Sequence, residues 1–197
     1  MTAKKTAPRK QNRKLQIVAA AEVLLRERGL TGVTTRAVAE AVPCSEGAIY
    51  VHFRSRLELL LAVLEASLPE MLIPLRALDE VVGANTVQQN LARAVEGLQK
   101  FHERVTPMLA SLFADPELLQ GFRETLALHG KGPAGGIARI AGYIRKEQQL
   151  GRISAEINAE TAAATLMSVS FFQAFTRALT GAAAPSFSAR RLVKSLL

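Results

Sequence analysis

Ser45-Glu46-Gly47-Ala48-Ile49-Tyr50-Val51-His52-Phe53 is the stretch from which the fold can be read. Ile49 and Phe53 stand four residues apart, so a helix brings both to one face as inward anchors and leaves Glu46, Tyr50 and His52 outward. Gly47 and Ala48 keep the leading face small, which lets the backbone approach a partner closely. The helix is short, from Ser45 to about His52. Before it, a second short helix begins after Thr34 or Thr35, either of which can cap the free backbone N–H groups, and ends before Pro43. Before that, Ile17, Ala20, Ala21 and Leu24 share one face of a first helix of about 16 residues that stops at Gly29. Three short helices with a four-residue turn before the third form a helix-turn-helix layout. In such a layout the last helix is too short to be a core element, yet its N-terminal residues can enter a DNA major groove.

Working outward, the rest of the chain also reads as helix. Apolar residues recur at i, i+3, i+4 and i+7, and alternating β-branched runs are scarce. Ser55-Arg56-Leu57-Glu58 and Thr86-Val87-Gln88-Gln89 are capping boxes, and Thr106-Pro107 and Asp115-Pro116 set a cap before a proline at the first helical position. Breaks are expected at Gly83, Gly130 to Gly136, Gly151 and Gly181 to Pro185. A long helix from about Asn158 to Thr180 precedes a Pro-Ser loop and a short final helix from Ser188. The fold class is therefore all-α.

With 197 residues, 49% of them hydrophobic, the chain can bury a core without metals or disulfides. Cys44 is the single cysteine, so no intrachain disulfide forms, and the three scattered histidines offer no metal spacing. No metal, no cofactor and a reducing cytoplasm are the expectations. The longest aliphatic run, Leu59 to Leu64, is far short of the ~18 to 20 residues that span a bilayer, so no membrane span is expected. The net charge of +8 is concentrated at one end: residues 1–56 hold eleven Lys or Arg against four Glu, a net of +7, and the remaining 141 residues net +1. Such a distribution is the footprint of phosphate neutralisation, or else of a solubilising tail. Residues 1–14 read as a basic disordered arm.

The stretch from Ile17 to Glu65 resembles the DNA-binding domain of the TetR family of transcriptional regulators. The likeness is carried by Ala20-Ala21, Gly29, Thr34-Thr35, Val38-Ala39, Ser45, Gly47, Ile49-Tyr50, His52-Phe53, Ser55-Arg56 and Leu59-Leu60. The resemblance implies a helix-turn-helix domain over 15–56, followed over 57–197 by a helical bundle for ligand binding and dimerisation. It implies that Thr35, Tyr50 and His52 contact backbone phosphates, which fix register. It implies the same for Arg56, which stands where the family usually has lysine. Base readout then falls to Ser45, Glu46, Gly47 and Ala48, with Arg36 beside them. One departure concerns the turn, where the family usually has Gly-Val and this chain has Pro43-Cys44. Proline cannot replace a glycine that needs positive φ, so the turn and the approach angle of the recognition helix are open to change. Cys44 can fill the small apolar plug of the valine, and no resolving cysteine backs a redox role for it.

Beyond residue 66 the resemblance is architectural. It implies a homodimer through the last two helices, for which Ala162 to Ala164 with Leu166 permit close packing. Phe101, His102, Met108, Phe122, Met167, Phe171, Gln173 and Phe175 are candidates to line a pocket for an apolar or modestly polar effector, with Phe113, Phe172 and Arg177 nearby in type. The implied partners are double-stranded operator DNA, a small-molecule effector and a second copy of the chain, with the effector releasing a repressor from a palindromic site. An activator of the same family is the alternative. A protein that binds any nucleic acid or a membrane surface through its basic end is a third reading. The chain has no phosphate-binding glycine loop and no His or Cys cluster, so no catalytic residue is assigned.

Overall fold

The computed structural model describes residues 7–128, 133–181 and 187–197. Within them the chain forms nine helices and no strand: α1 (Ala7–Gly32), α2 (Thr35–Ala41), α3 (Glu46–His52), α4 (Arg56–Glu80), α5 (Val87–Leu112), α6 (Pro116–Leu128), α7 (Pro133–Gln149), α8 (Ala159–Thr180) and α9 (Ala189–Leu196). They divide into two compact units. One holds residues 1–66 and 107–124, the other residues 67–106 and 125–197. Helices α4, α5 and α6 each contribute to both.

In the N-terminal unit α1 packs on α2 and α2 on α3. Their shared core is built from Ile17, Ala21, Leu24, Val38, Ile49 and Phe53, all buried. Gly29 has φ 65 and ψ −170, so regular helix stops there, as its position after Leu24 and Leu25 predicts. The start of α1 differs from expectation. Residues 7–14, read as part of a disordered arm, are helical, while residues 1–6 of that arm lie outside the described residues. Gly121 of α6 lies so near the first turn of α4 that a Cβ there would stand 2.6 Å from Leu57 Cδ2.

The second unit is built around Leu75, Leu91, Leu98, Ile140, Ile144 and Leu166, with α7 packed on α8 and α8 on α9. Asn158 and Ser188 cap α8 and α9 through Thr161 N and Arg191 N, at the starts the sequence indicates. Two expectations are corrected. Thr106-Pro107 starts no helix, because it lies inside α5. Leu98, Phe101, Val105, Met108 and Leu112 are all buried and keep the helical period through the proline, and this packing outweighs the cap signal. Beside the proline, Thr106 Oγ1 donates to the His102 carbonyl at 2.6 Å and Ser111 Oγ to the Pro107 carbonyl at 2.7 Å, i−4 back-bonds of the kind that accompany a bend in a helix. Similarly, Gly135 and Gly136 are helical within α7 and belong to no break. A Cβ at Gly136 would stand 2.5 Å from Met167 Cε, so that glycine serves close packing.

A polar network is sealed inside this unit. Glu147 is fully buried, accepts from Gly83 N at 3.1 Å and lies 3.2 Å from Arg152 Nη1. Asn90 Nδ2 donates to the Ala84 carbonyl and to Tyr143 Oη, both at 2.9 Å. Burial pushes the Tyr143 hydroxyl up to about 12, with Glu147 adding to the effect. The network ties the turn between α4 and α5, which holds Gly83 and the left-handed Asn85, to α7.

Candidate nucleic-acid interface

Two caps set the geometry of the helix-turn-helix. Thr34 Oγ1 accepts from Ala37 N at 3.1 Å and starts α2, and Ser45 Oγ accepts from Ala48 N at 3.3 Å and starts α3. Between them, Val42 N–H donates to the Val38 carbonyl at 3.0 Å and Cys44 N–H to the Ala39 carbonyl at 3.3 Å. No residue of this turn has positive φ, so Pro43 sits in it without conflict. The buried plug is Val42, at 6% exposure, while Cys44 is half-buried.

On α3, Ile49 and Phe53 are buried, whereas Tyr50 is 57% and Val51 65% exposed. Val51 is an exposed apolar residue that the outward set of the sequence reading omits. The signal was available, because with Ile49 and Phe53 inward, position 51 has to face away. Gly47 opens on empty space, its nearest neighbour being Ser45 Oγ at 3.9 Å from a built Cβ. Ala48 and His52 are half-buried, and the His52 ring stands 6.5 Å from that of Phe53. Lys14 of α1 places its Nζ 5.3 Å from the centre of the same Phe53 ring, a cation–π contact that no local pattern announces.

Thr35, Glu46, Arg36 and Arg56 all have partners within the protein. Thr35 Oγ1 donates to Glu46 Oε2 at 2.8 Å. Arg36 Nε pairs with Glu40 Oε1 at 3.0 Å, on a surface where both side chains are mostly exposed. Arg56 is half-buried and turns its guanidinium to the Leu30 carbonyl at the end of α1, leaving Nε without a partner. The capping box at its position is offset by one residue: Glu58 N donates to Ser55 Oγ at 3.1 Å, but the Glu58 carboxylate accepts from Arg54 N, at 2.7 Å. A hollow of about 220 Å³ opens here, walled by Thr31, Thr34, Thr35, Tyr50, Ser55 and Arg56 over Ile49 and Phe53. Five hydroxyl-bearing side chains and Arg56 thus border one largely apolar concavity, with the Thr35 proton given to Glu46 and the guanidinium to Leu30.

Of the effector candidates, the structure gathers Phe101, His102, Phe171 and Phe175. His102 lies 5.5 Å from Phe101 and 5.6 Å from Phe171 between ring centres, and Phe171 stacks on Phe175 at 6.2 Å. Phe101 and His102 are buried, while Phe171 and Phe175 are nearly two-fifths exposed. Buried Ser170, absent from the candidate set, meets His102 Nδ1 at 2.9 Å. Its spacing from Leu166, Met167 and Ala174 put it on the buried face of α8. Gln173 accepts from Gln99 at 3.2 Å, and Arg177 is paired with Glu103 at 2.7 Å. Met167 is core of the second unit, and Met108 and Phe122 belong to the N-terminal unit. Phe113 and Phe172 are exposed. Among the described residues no group of three or more His, Cys, Asp or Glu could hold a metal ion, and no helix is long and apolar enough to cross a membrane.

The profile of the tetR family of bacterial regulatory proteins matches residues 17–63. No curated protein matches the sequence. Among solved structures, a TetR-family transcriptional regulator from Rhodococcus sp. is similar with a TM-score of 0.66 at 24% identity, over 94% of this chain and 96% of that one. One from Mesorhizobium loti gives 0.68 at 20%, over 96% of both chains. The Bacillus subtilis regulator FadR, in complex with stearoyl-CoA, gives 0.62 at 18%, over 92% of this chain and 94% of its own. Residues 17–63 thus carry a helix-turn-helix of the tetR family, on a chain whose all-helical fold is similar throughout to those solved structures.

Proposed function

We propose that the chain is a sequence-specific DNA-binding repressor, a homodimer held on a palindromic operator until a small-molecule ligand releases it. One observation carries this reading: a doubly anchored, Ser45-capped α3 turns Tyr50 and Val51 to solvent beside a hollow lined with hydroxyls and Arg56. Phosphate oxygens are pure acceptors, and hydroxyls next to a short exposed helix suit a DNA backbone flanking a read groove. Thr35, Tyr50, His52 and Arg56 take the phosphate contacts, and Ser45, Glu46, Gly47, Ala48 and Arg36 face the bases. Residues 15–56 serve DNA and 57–197 serve the ligand and the dimer. Acting on genomic DNA, the protein works in the cytoplasm.

Dimerisation is supported by α8, on which Phe171, Phe172, Phe175 and Leu179 stay exposed, an apolar face of the kind two subunits bury. Two half-sites about 34–36 Å apart then give one short helix per half-site enough sequence to read. For the ligand, the aromatic cluster around His102 and Ser170 supports an apolar molecule with one polar group. The stearoyl-CoA complex of a fold neighbour makes acyl thioesters the first class to screen.

The test is selection of genomic fragments with purified protein at near-physiological salt, then titration of the winner against a random fragment. A palindrome bound at least about a thousandfold more tightly, and weakened by Tyr50→Ala, is the expected result. Equal binding of both fragments overturns the reading.

A further inference from the structure

We propose that Glu46 is a gate on base recognition: its carboxylate occupies the Thr35 hydroxyl in the free protein, is displaced when a backbone phosphate takes that hydroxyl, and finds a new donor only where the operator presents a cytosine amino group. The proposal rests on the DNA-binding reading above and deepens it by assigning one base.

Thr35 Oγ1 donates to Glu46 Oε2 at 2.8 Å, across a separation of eleven residues that only the packing of α2 against α3 closes. A threonine hydroxyl has a single proton to give. It therefore serves the Glu46 carboxylate or a phosphate oxygen, and the Thr35–Glu46 bond and the phosphate contact that the resemblance implies for Thr35 exclude each other in time. The carboxylate imitates the phosphate in charge and in acceptor geometry, and DNA binding becomes an exchange of one acceptor for another.

Among the described residues nothing else holds Glu46: Arg36, next to Thr35 in the chain, is paired with Glu40, and no ion pair to Glu46 occurs. Displaced toward DNA, the carboxylate loses water and stands among phosphates of like charge, which is costly unless a donor meets it. In the major groove guanine and thymine offer acceptors at the relevant edge, and adenine sets its N7 acceptor beside its amino group. Cytosine N4 is the donor a carboxylate takes. Glu46 thus discriminates chiefly by repulsion, rejecting sites that leave it without a partner. Gly47, with open space around it, leaves the side chain room to swing.

The experiment uses the full chain and the palindrome recovered by selection, with each base pair of the half-site replaced in turn, for wild type, Glu46→Ala and Glu46→Gln at one salt concentration. Wild type is expected to show one C·G pair per half-site whose replacement weakens binding by about five- to 150-fold. Glu46→Ala should lose that penalty, keep the others, and bind a random fragment more tightly than wild type. Glu46→Gln should move the preference at that pair to adenine, whose N6 and N7 a carboxamide can bridge. Equal thermal midpoints check that these exposed-site variants fold. Should Glu46→Ala keep every wild-type penalty, or weaken operator and random fragment alike, the gate is overturned while the DNA-binding reading stands. Wild type that prefers no fragment overturns both.

Discussion

His102 sits buried on α5, with Nδ1 2.9 Å from Ser170 Oγ, and burial lowers its pKa to about 4. The unfolded chain, with its histidine near 6.5, then binds more protons than the native state between those values. Stability from this group is complete above pH 6.5 and declines as pH falls through 6.5 toward 4. From pH 7 to pH 5 the loss is about 2 kcal/mol. Urea unfolding of wild type and His102→Gln across that range should give curves that converge by this amount toward acid; parallel curves would contradict it. At the same scale, the breaking of a buried charge pair predicts that Arg152→Ala destabilises by about 3 kcal/mol, read by the same titration, because it leaves the fully buried Glu147 uncompensated. Residue roles were legible where a short period exposed them, as for Ile49, Tyr50 and Phe53. They were hidden where the partner is distant in sequence, as for Thr35 with Glu46, Lys14 with Phe53 and His102 with Ser170.

At the scale of elements, caps and close approaches govern. Ser45 Oγ satisfies Ala48 N, so Ser45→Ala should cost about 1 kcal/mol and loosen the first turn of α3, checked by urea unfolding and by amide exchange at Gly47 and Ala48. Gly97 presents the opposite case to a simple propensity argument. In an open helix, Gly→Ala gains about 0.5–1 kcal/mol. Here a Cβ would stand 2.5 Å from Pro74 Cγ and 2.7 Å from the Glu70 carbonyl oxygen, which is backbone. Overpacking against atoms that cannot move aside costs about 1–3 kcal/mol, so Gly97→Ala is expected to lower the thermal midpoint. The prolines show the same competition. Asp115 caps Leu118 N ahead of Pro116 and starts α6, as the Asp-Pro signal indicates, while the equivalent signal at Thr106-Pro107 is overridden inside α5. Both dipeptides look alike locally. They differ in whether the apolar period of the preceding helix carries on into a core.

At the scale of the whole molecule, α8 divides its residues between the interior and an exposed face. Ala162, Ala163, Leu166, Met167, Ser170 and Ala174 are buried, and Phe172 and Leu179 are more than half exposed. Phe172→Glu with Leu179→Glu should leave the thermal midpoint of the subunit's own core little changed, yet shift sedimentation from a dimer to a monomer. The same variant should lose operator affinity while a single half-site is still bound weakly. A dimer that survives both charges would remove α8 as its interface.

Helices, caps, the glycine that interrupts α1 at residue 29 and the spacing of α3 are local features, legible in the chain itself. These follow from backbone hydrogen bonding and from apolar periods a few residues long. Tertiary structure alone decided that α5 runs unbroken through Pro107, that Val42 fills the turn, and that Arg56 caps Leu30. It alone decided, too, that Thr35 holds Glu46. Each of these depends on groups distant along the chain meeting in space. There, burial and the need to satisfy every polar group outweigh what any short stretch prefers.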